Sequence, residues 1–196
     1  MERLILDQIR NSCEVKNIIC NDRELITLIK ETCDVIISAY KKGNRTLIAG
    51  NGGSAADAQH IAAEFVSRFY FDRPGLSSIA LTTDSSILTA IGNDYGYERV
   101  FARQIEAHGI RGDVFIAIST SGNSRNIIEA LKTCKKKGII TIGFTNKTGG
   151  NMSRYCDFCI RIPATETPRI QEAHILIGHI ICYIVEKYLF RNESNN

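Results

Sequence analysis

From residue 46 onward, short apolar runs alternate with longer stretches of helical period, and that alternation leaves few folds open. The runs 46–49, 78–81, 114–119, 139–144 and 158–162 have the length of strands. They lack the polar–apolar alternation of a sheet with one wet face. Apolar strands separated by helices point to a parallel sheet covered on both sides, with right-handed crossovers. The spacing predicts helices over 54–70, 86–91, 98–107 and 125–137, and a last one over 170–189. Residues 3–42 contain neither Gly nor Pro, and Leu25, Leu28, Ile29, Ile36, Ile37 and Tyr40 recur at helical steps before a stop at Gly43. Two helices are therefore expected ahead of the sheet. With no internal repeat and no linker, the chain reads as one domain over 1–196, made of N-terminal helices (1–43) and an α/β core with its C-terminal helix (44–190).

Charge and composition exclude several classes of function. A formal net charge of +3 over 196 residues is too weak for a nucleic-acid binder. The run Lys135-Lys136-Lys137 before Gly138 reads as a helix end, with cations at the negative pole of the dipole. Apolar stretches fall short of the ~18 residues of a membrane span, and Met1-Glu2-Arg3-Leu4 is unlike a signal peptide. A cytoplasmic protein is expected. The seven cysteines fit reduced thiols there. Cys156-x-x-Cys159 has no second CxxC with which to complete a zinc site. It reads as the start of a strand rather than a redox motif.

Two loops at the carboxyl ends of predicted strands stand out, where ligands of open parallel sheets gather. Gly50-Asn51-Gly52-Gly53-Ser54-Ala55 matches G-x-G-x-x-A, but the next acidic strand end, Asp84, lies beyond the ~20-residue spacing of a dinucleotide site. Ser119-Thr120-Ser121-Gly122-Asn123-Ser124 opens a helix with four hydroxyls, the makings of an anion site without a lysine. One hydroxyl, that of Ser121 or Ser124, is expected to cap the helix; four exceed what capping needs. Phosphate is the anion this loop suits. His60 and Glu64, four apart, share a helix face, which by itself is a common surface pairing. His108 reads as a helix end, His174 as structural or supporting, and Asp94 as a residue that a turn would accommodate.

GNGGSAADAQH, the IGND segment, ISTSGNS and RIQEAH, in this order, resemble the sugar isomerase (SIS) family, and within it the phosphoheptose isomerase branch. The resemblance covers almost the whole chain. It implies a three-layer α/β/α sandwich with a five-stranded parallel sheet, and a homotetramer with sites near subunit boundaries. It implies a sugar-phosphate substrate, sedoheptulose 7-phosphate, isomerised to D-glycero-D-manno-heptose 7-phosphate for a bacterial lipopolysaccharide or related glycan. His60, Glu64, Gln171 and His179 match the family's zinc ligands, one zinc per subunit, and Glu64 and His179 its acid–base pair. Asn51, Gly52, Gly53, Asn93 and Asp94 would line the sugar with Glu64 and Gln171. Ser119, Thr120, Ser121 and Ser124 would hold the phosphate. A carboxylate suits proton transfer between C1 and C2 through an enediol, and an imidazole suits the oxygen protons.

Two other readings share the fold. Non-catalytic relatives that associate with the bacterial replication initiator keep the loops but lack the pair at Glu64 and His179, which this chain has. An isomerase of another sugar phosphate would differ in its pocket. Geometry also constrains the zinc set. Gln171 and His179, eight positions apart, would be separated in a straight helix by a rise of ~12 Å and a rotation of ~80°. Either Gln171 precedes the regular helix, or one end of the set comes from a neighbouring subunit; the second is the expectation.

Overall fold

The first forty residues form two helices, α1 (Glu2–Asn21) and α2 (Arg23–Lys41). Asp22 separates them, its carboxylate accepting from the Leu25 amide at 3.0 Å to cap α2. The computed structural model describes residues 1–191. Beyond α2 come β1 (Thr46–Ala49), α3 (Gly53–Val66), β2 (Ser78–Ala80) and α4 (Ser85–Tyr95). A 3-10 turn at Tyr97–Arg99 leads into α5 (Val100–His108), then β3 (Val114–Ile118), α6 (Arg125–Lys137) and β4 (Ile140–Asn146). A second 3-10 turn, Asn151–Tyr155, precedes β5 (Phe158–Ile162) and α7 (Thr167–Phe190).

The five strands pair in the order β2-β1-β3-β4-β5, all parallel. Alternate residues of each strand enter different cores. Ile48, Ile116, Ile118, Ile142, Phe144 and Ile160 pack with α2, α3 and α7. Leu47, Ala49, Phe115 and Ala117 pack on the other face with α5 and α6. This is the three-layer arrangement the sequence implies. The strand order reverses between β1 and β3, so the loops that follow these two strands lie side by side at the topological switch point.

The helix expected over 54–70 ends at Val66. Its continuation is captured instead by Glu186 of α7, which accepts from the amides of Phe69 and Tyr70 at 2.7 and 2.8 Å. Arg73 donates to the last α3 carbonyls, Glu64 and Phe65, at 2.8 and 2.7 Å. The expected helix over 86–91 runs longer, through Asn93 and Asp94 to Tyr95, so Asp94 is helical and not in a turn. Asp84 caps it, accepting from Ile87 at 2.9 Å. The C-terminal helix corrects another expectation. By length and composition α7 could cross a membrane, with an 18-residue window of mean hydropathy 1.4. Here Ile170, Ala173, Ile177, Ile181 and Val185 bury its apolar face in the core.

Candidate active site

The glycine loop and the hydroxyl loop are stitched together by a pair of asparagines. Asn51 Nδ2 donates to Asn126 Oδ1 at 3.0 Å, and Asn126 Nδ2 returns a bond to Asn51 Oδ1 at 2.8 Å. The Tyr97 hydroxyl also reaches Asn51 Oδ1, at 3.3 Å. Nothing in the local sequence pattern around Asn126 or Tyr97 marks either as a site residue. The tight geometry of the first loop depends on glycine at two points. A Cβ at Gly50 would stand 2.4 Å from the Ser54 carbonyl oxygen, and Gly52 has φ +56°.

In the second loop Ser119 is nearly buried and its hydroxyl lies 3.0 Å from that of Ser124. Ser124 occupies the N-cap position of α6 yet makes no side-chain cap bond. Ser121 accepts from the Asn123 amide at 3.1 Å, within the loop. Neither serine caps the helix as expected; the Ile127 amide donates to Asn126 Oδ1 at 3.0 Å, and the Arg125 and Asn126 amides and the half-buried Thr120 stay available to an anion. The loop is braced by the segment after β4. A Cβ at Gly122 (φ +68°) would stand 2.4 Å from the Gly149 carbonyl oxygen, and one at Gly150 (φ +54°) 2.6 Å from that of Ser121. Asn151 donates to Asn123 Oδ1 through its amide and side chain, at 3.0 and 2.8 Å, and Met152 N donates to the Gly122 carbonyl at 2.9 Å.

His60 and Glu64 lie about two and three turns along α3 from Gly53. His60 Nε2 is 3.2 Å from Glu64 Oε1 and 3.3 Å from His179 Nε2 of α7. These three residues present ligand atoms within 4.8 Å of one another and could hold a metal ion. Two imidazole nitrogens and a carboxylate form a donor set that zinc accepts. Burial, and then the neighbouring His60, lower the His179 pKa below its usual value, with Glu64 opposing them. Close packing of the two helices makes the meeting possible: a Cβ at Gly178 would lie 2.7 Å from Ile61 Cδ1.

Gln171 is placed apart from this cluster. It lies inside the continuous α7, so it does not precede the regular helix. Its Nε2 is 2.5 Å from where a Cβ of Gly53 would be, so its amide faces the glycine loop. His179 reaches His60 within one chain, without a second subunit. Asn93 Nδ2 donates to Asp94 Oδ1 at 2.9 Å; both are exposed, and no bond from either to the two loops is present among the described residues. His174 is fully buried, with Nε2 3.3 Å from the Thr145 carbonyl oxygen, and burial lowers its pKa to about 4. It is structural. His108 ends α5.

The SIS-domain family profile matches residues 15–146. Phosphoheptose isomerase of Aneurinibacillus thermoaerophilus is 63% identical over 193 residues, 98% of each chain. Phosphoheptose isomerase 2 of Campylobacter jejuni is 69% identical over 180 residues, 92% of this chain and 90% of that one. The solved phosphoheptose isomerase of Neisseria gonorrhoeae superposes with a TM-score of 0.89 at 37% identity, covering 95% of this chain and 98% of the other.

Proposed function

The chain belongs to the phosphoheptose isomerases of the SIS-domain family, and from that premise we propose how its residues isomerise sedoheptulose 7-phosphate to D-glycero-D-manno-heptose 7-phosphate. The observation that carries the mechanism is the convergence of Glu64 and His179 from two helices. The phosphate rests on Ser119, Thr120, Ser121 and Ser124 and on the open N-terminus of α6. Asn51, Gly52, Gly53 and Gln171 line the sugar, with Asn93 and Asp94 beside it. Glu64 Oε1 faces His60; Oε2 takes the proton from C1 and returns it to C2. His179, whose lowered pKa keeps it neutral at pH 7, moves the proton between O1 and O2.

Zinc suits the two imidazoles and the carboxylate, and when bound it would stabilise the charge that develops on the enediol oxygens. His60, Glu64 and His179 would hold it, one ion per subunit. Gln171, directed at the glycine loop, serves the sugar in this reading, and the fourth position is left to water or to a neighbouring subunit. Purified protein should carry about one zinc per chain, and a strong chelator should abolish activity that zinc restores. Full activity without metal would leave Glu64 and His179 as a plain acid–base pair.

A homotetramer is supported by the apolar residues Leu4, Ile5, Leu6 and Ile9 that α1 exposes, and light scattering would measure it. The product would enter a bacterial surface glycan, made in the cytoplasm where the phosphosugar is. A non-catalytic role bound to the replication initiator would not require Glu64 and His179 to meet. Incubation with sedoheptulose 7-phosphate, followed by NMR, tests the assignment. Appearance of the aldose supports it, and an unchanged ketose spectrum overturns it.

A further inference from the structure

Cys156 and Cys159 have no part in the mechanism above, yet the fold brings their sulfurs together. Cys159 is the register partner of Gly143 across the β4–β5 pair, so its side chain projects over the face where Gly143 carries none. Cys156 Sγ fills that same space, 2.5 Å from where a Cβ of Gly143 would be. Both side chains therefore lie over the same patch of that sheet face. Cys156 also lines a cavity of about 300 Å³ together with Lys135, Arg154 and Asp157, and Cys159, outside that lining, is partly exposed. Of the other cysteines, Cys33, Cys134 and Cys182 are buried, and Cys13 and Cys20 are exposed on α1.

We propose that Cys156 and Cys159 are a reversible oxidation site, forming an intramolecular disulfide in exchange with a low-molecular-weight disulfide. The neighbouring Cys156 and then Arg161 lower the Cys159 pKa below its usual value against the effect of burial, which favours Cys159 as the attacking thiolate. The Cys159 thiolate attacks one sulfur of the reagent, and one small thiolate leaves. Cys156 then loses its proton and attacks the Cys159 sulfur of the mixed disulfide, releasing the second. Two protein thiols give up two electrons and two protons, and the reagent becomes two thiols.

The site is coupled to the hydroxyl loop. Cys156 closes the Asn151–Tyr155 turn and donates to the Met152 carbonyl at 3.4 Å. The same turn holds Gly122 and Asn123 through Met152 and Asn151. Drawing Cys156 toward Cys159 therefore pulls on the brace of the phosphate loop. This coupling rests on the phosphate role of the loop; formation of the disulfide does not.

The test uses the Cys13→Ser, Cys20→Ser chain, from which the exposed thiols are gone, treated with glutathione disulfide and mapped by peptide mass spectrometry. The expected product is a 156–159 cross-link without a retained glutathione, reversed by dithiothreitol. Adding Cys156→Ser should trap glutathione on Cys159. Free thiols at both positions, or a stable adduct on the parent chain, would overturn the disulfide. In the oxidised protein KM for the sugar phosphate should rise about threefold, a shift of about 0.6 kcal/mol, with kcat nearly unchanged. An unchanged KM would overturn the coupling to the loop.

Discussion

The hydroxyl loop and the acid–base cluster are built in opposite ways. Ser119 to Ser124 are consecutive, and their shape comes from backbone contacts with Gly149 and Gly150 and from Asn123 and Asn151. His60 and His179 stand 119 positions apart and meet only because α3 and α7 pack closely at Ile61 and Gly178. The first region is a local structure braced from one side. The second depends on the global fold, and in particular on the buried network under it. Substitutions should therefore separate the two: those in the cluster should strike turnover or folding, and those in the loop should strike binding.

The largest effect is expected at Glu64. Glu64→Gln keeps the volume and removes the proposed base, and general acid–base catalysis contributes about 10²- to 10⁴-fold. kcat should fall by that much while circular dichroism and thermal unfolding stay close to those of the parent. Near-normal turnover would remove Glu64 from the proton transfer.

Next comes the support beneath the cluster. Arg73 Nε and Glu186 Oε1 are 3.1 Å apart and almost wholly buried. Together they hold the carbonyls of Glu64 and Phe65 and the amides of Phe69 and Tyr70. Removing one partner of a buried pair costs about 3–5 kcal/mol, because the other charge is left uncompensated. Arg73→Ala should lower the urea midpoint accordingly. A loss of less than about 1 kcal/mol would show that the pair is not what ties α3 to α7.

These two regions also explain what could be read from the sequence. The strands were legible because runs such as 114–118 are buried on both faces and so are apolar throughout. The hydroxyl loop was legible because its donors are contiguous. The early end of α3 was not, since Phe69 and Tyr70 continue an apolar pattern and only the distant Glu186 diverts their amides. The 54–70 expectation followed local period, and a tertiary contact won. The capping expectation failed for a related reason: the Ser124 hydroxyl turns to Ser119 instead of the helix amides. Asn126 was invisible because its partner, Asn51, lies in another loop. Gln171 could be placed only when its side-chain direction was known.

The two histidines of α7 give a pH dependence with a definite sign. His179 is partly open, whereas His174 is buried against Phe144 with a pKa lowered from 6.5 to about 4. The unfolded chain takes up this proton near pH 6.5, and the folded protein resists until about pH 4. Stability from the neutral imidazole is thus complete above pH ~6.5 and is lost as pH falls toward 4, by about 3 kcal/mol in all. His174→Phe should flatten that part of the stability–pH curve, measured by urea unfolding from pH 7 to 4. A variant whose curve keeps the parent's slope would assign the loss to other groups.

The smallest expected effect belongs to the loop. Ser119 is 3% exposed, and its hydroxyl has Ser124 as a partner in the free protein. Ser119→Ala removes one proposed donor to the phosphate, and a hydrogen bond to a charged group is worth about 1.5–3 kcal/mol. KM should rise roughly 10- to 100-fold while kcat changes little, since the phosphate is remote from the carbons that exchange the proton. An unphosphorylated heptulose lacks the group this donor serves, so with it the same variant should behave like the parent. That second measurement separates the phosphate from general damage, because a loop that had merely lost its shape would penalise both sugars. If Ser119→Ala instead lowered kcat and left KM alone, the loop would be acting on the chemistry, and the division between a binding region and a catalytic region would fail.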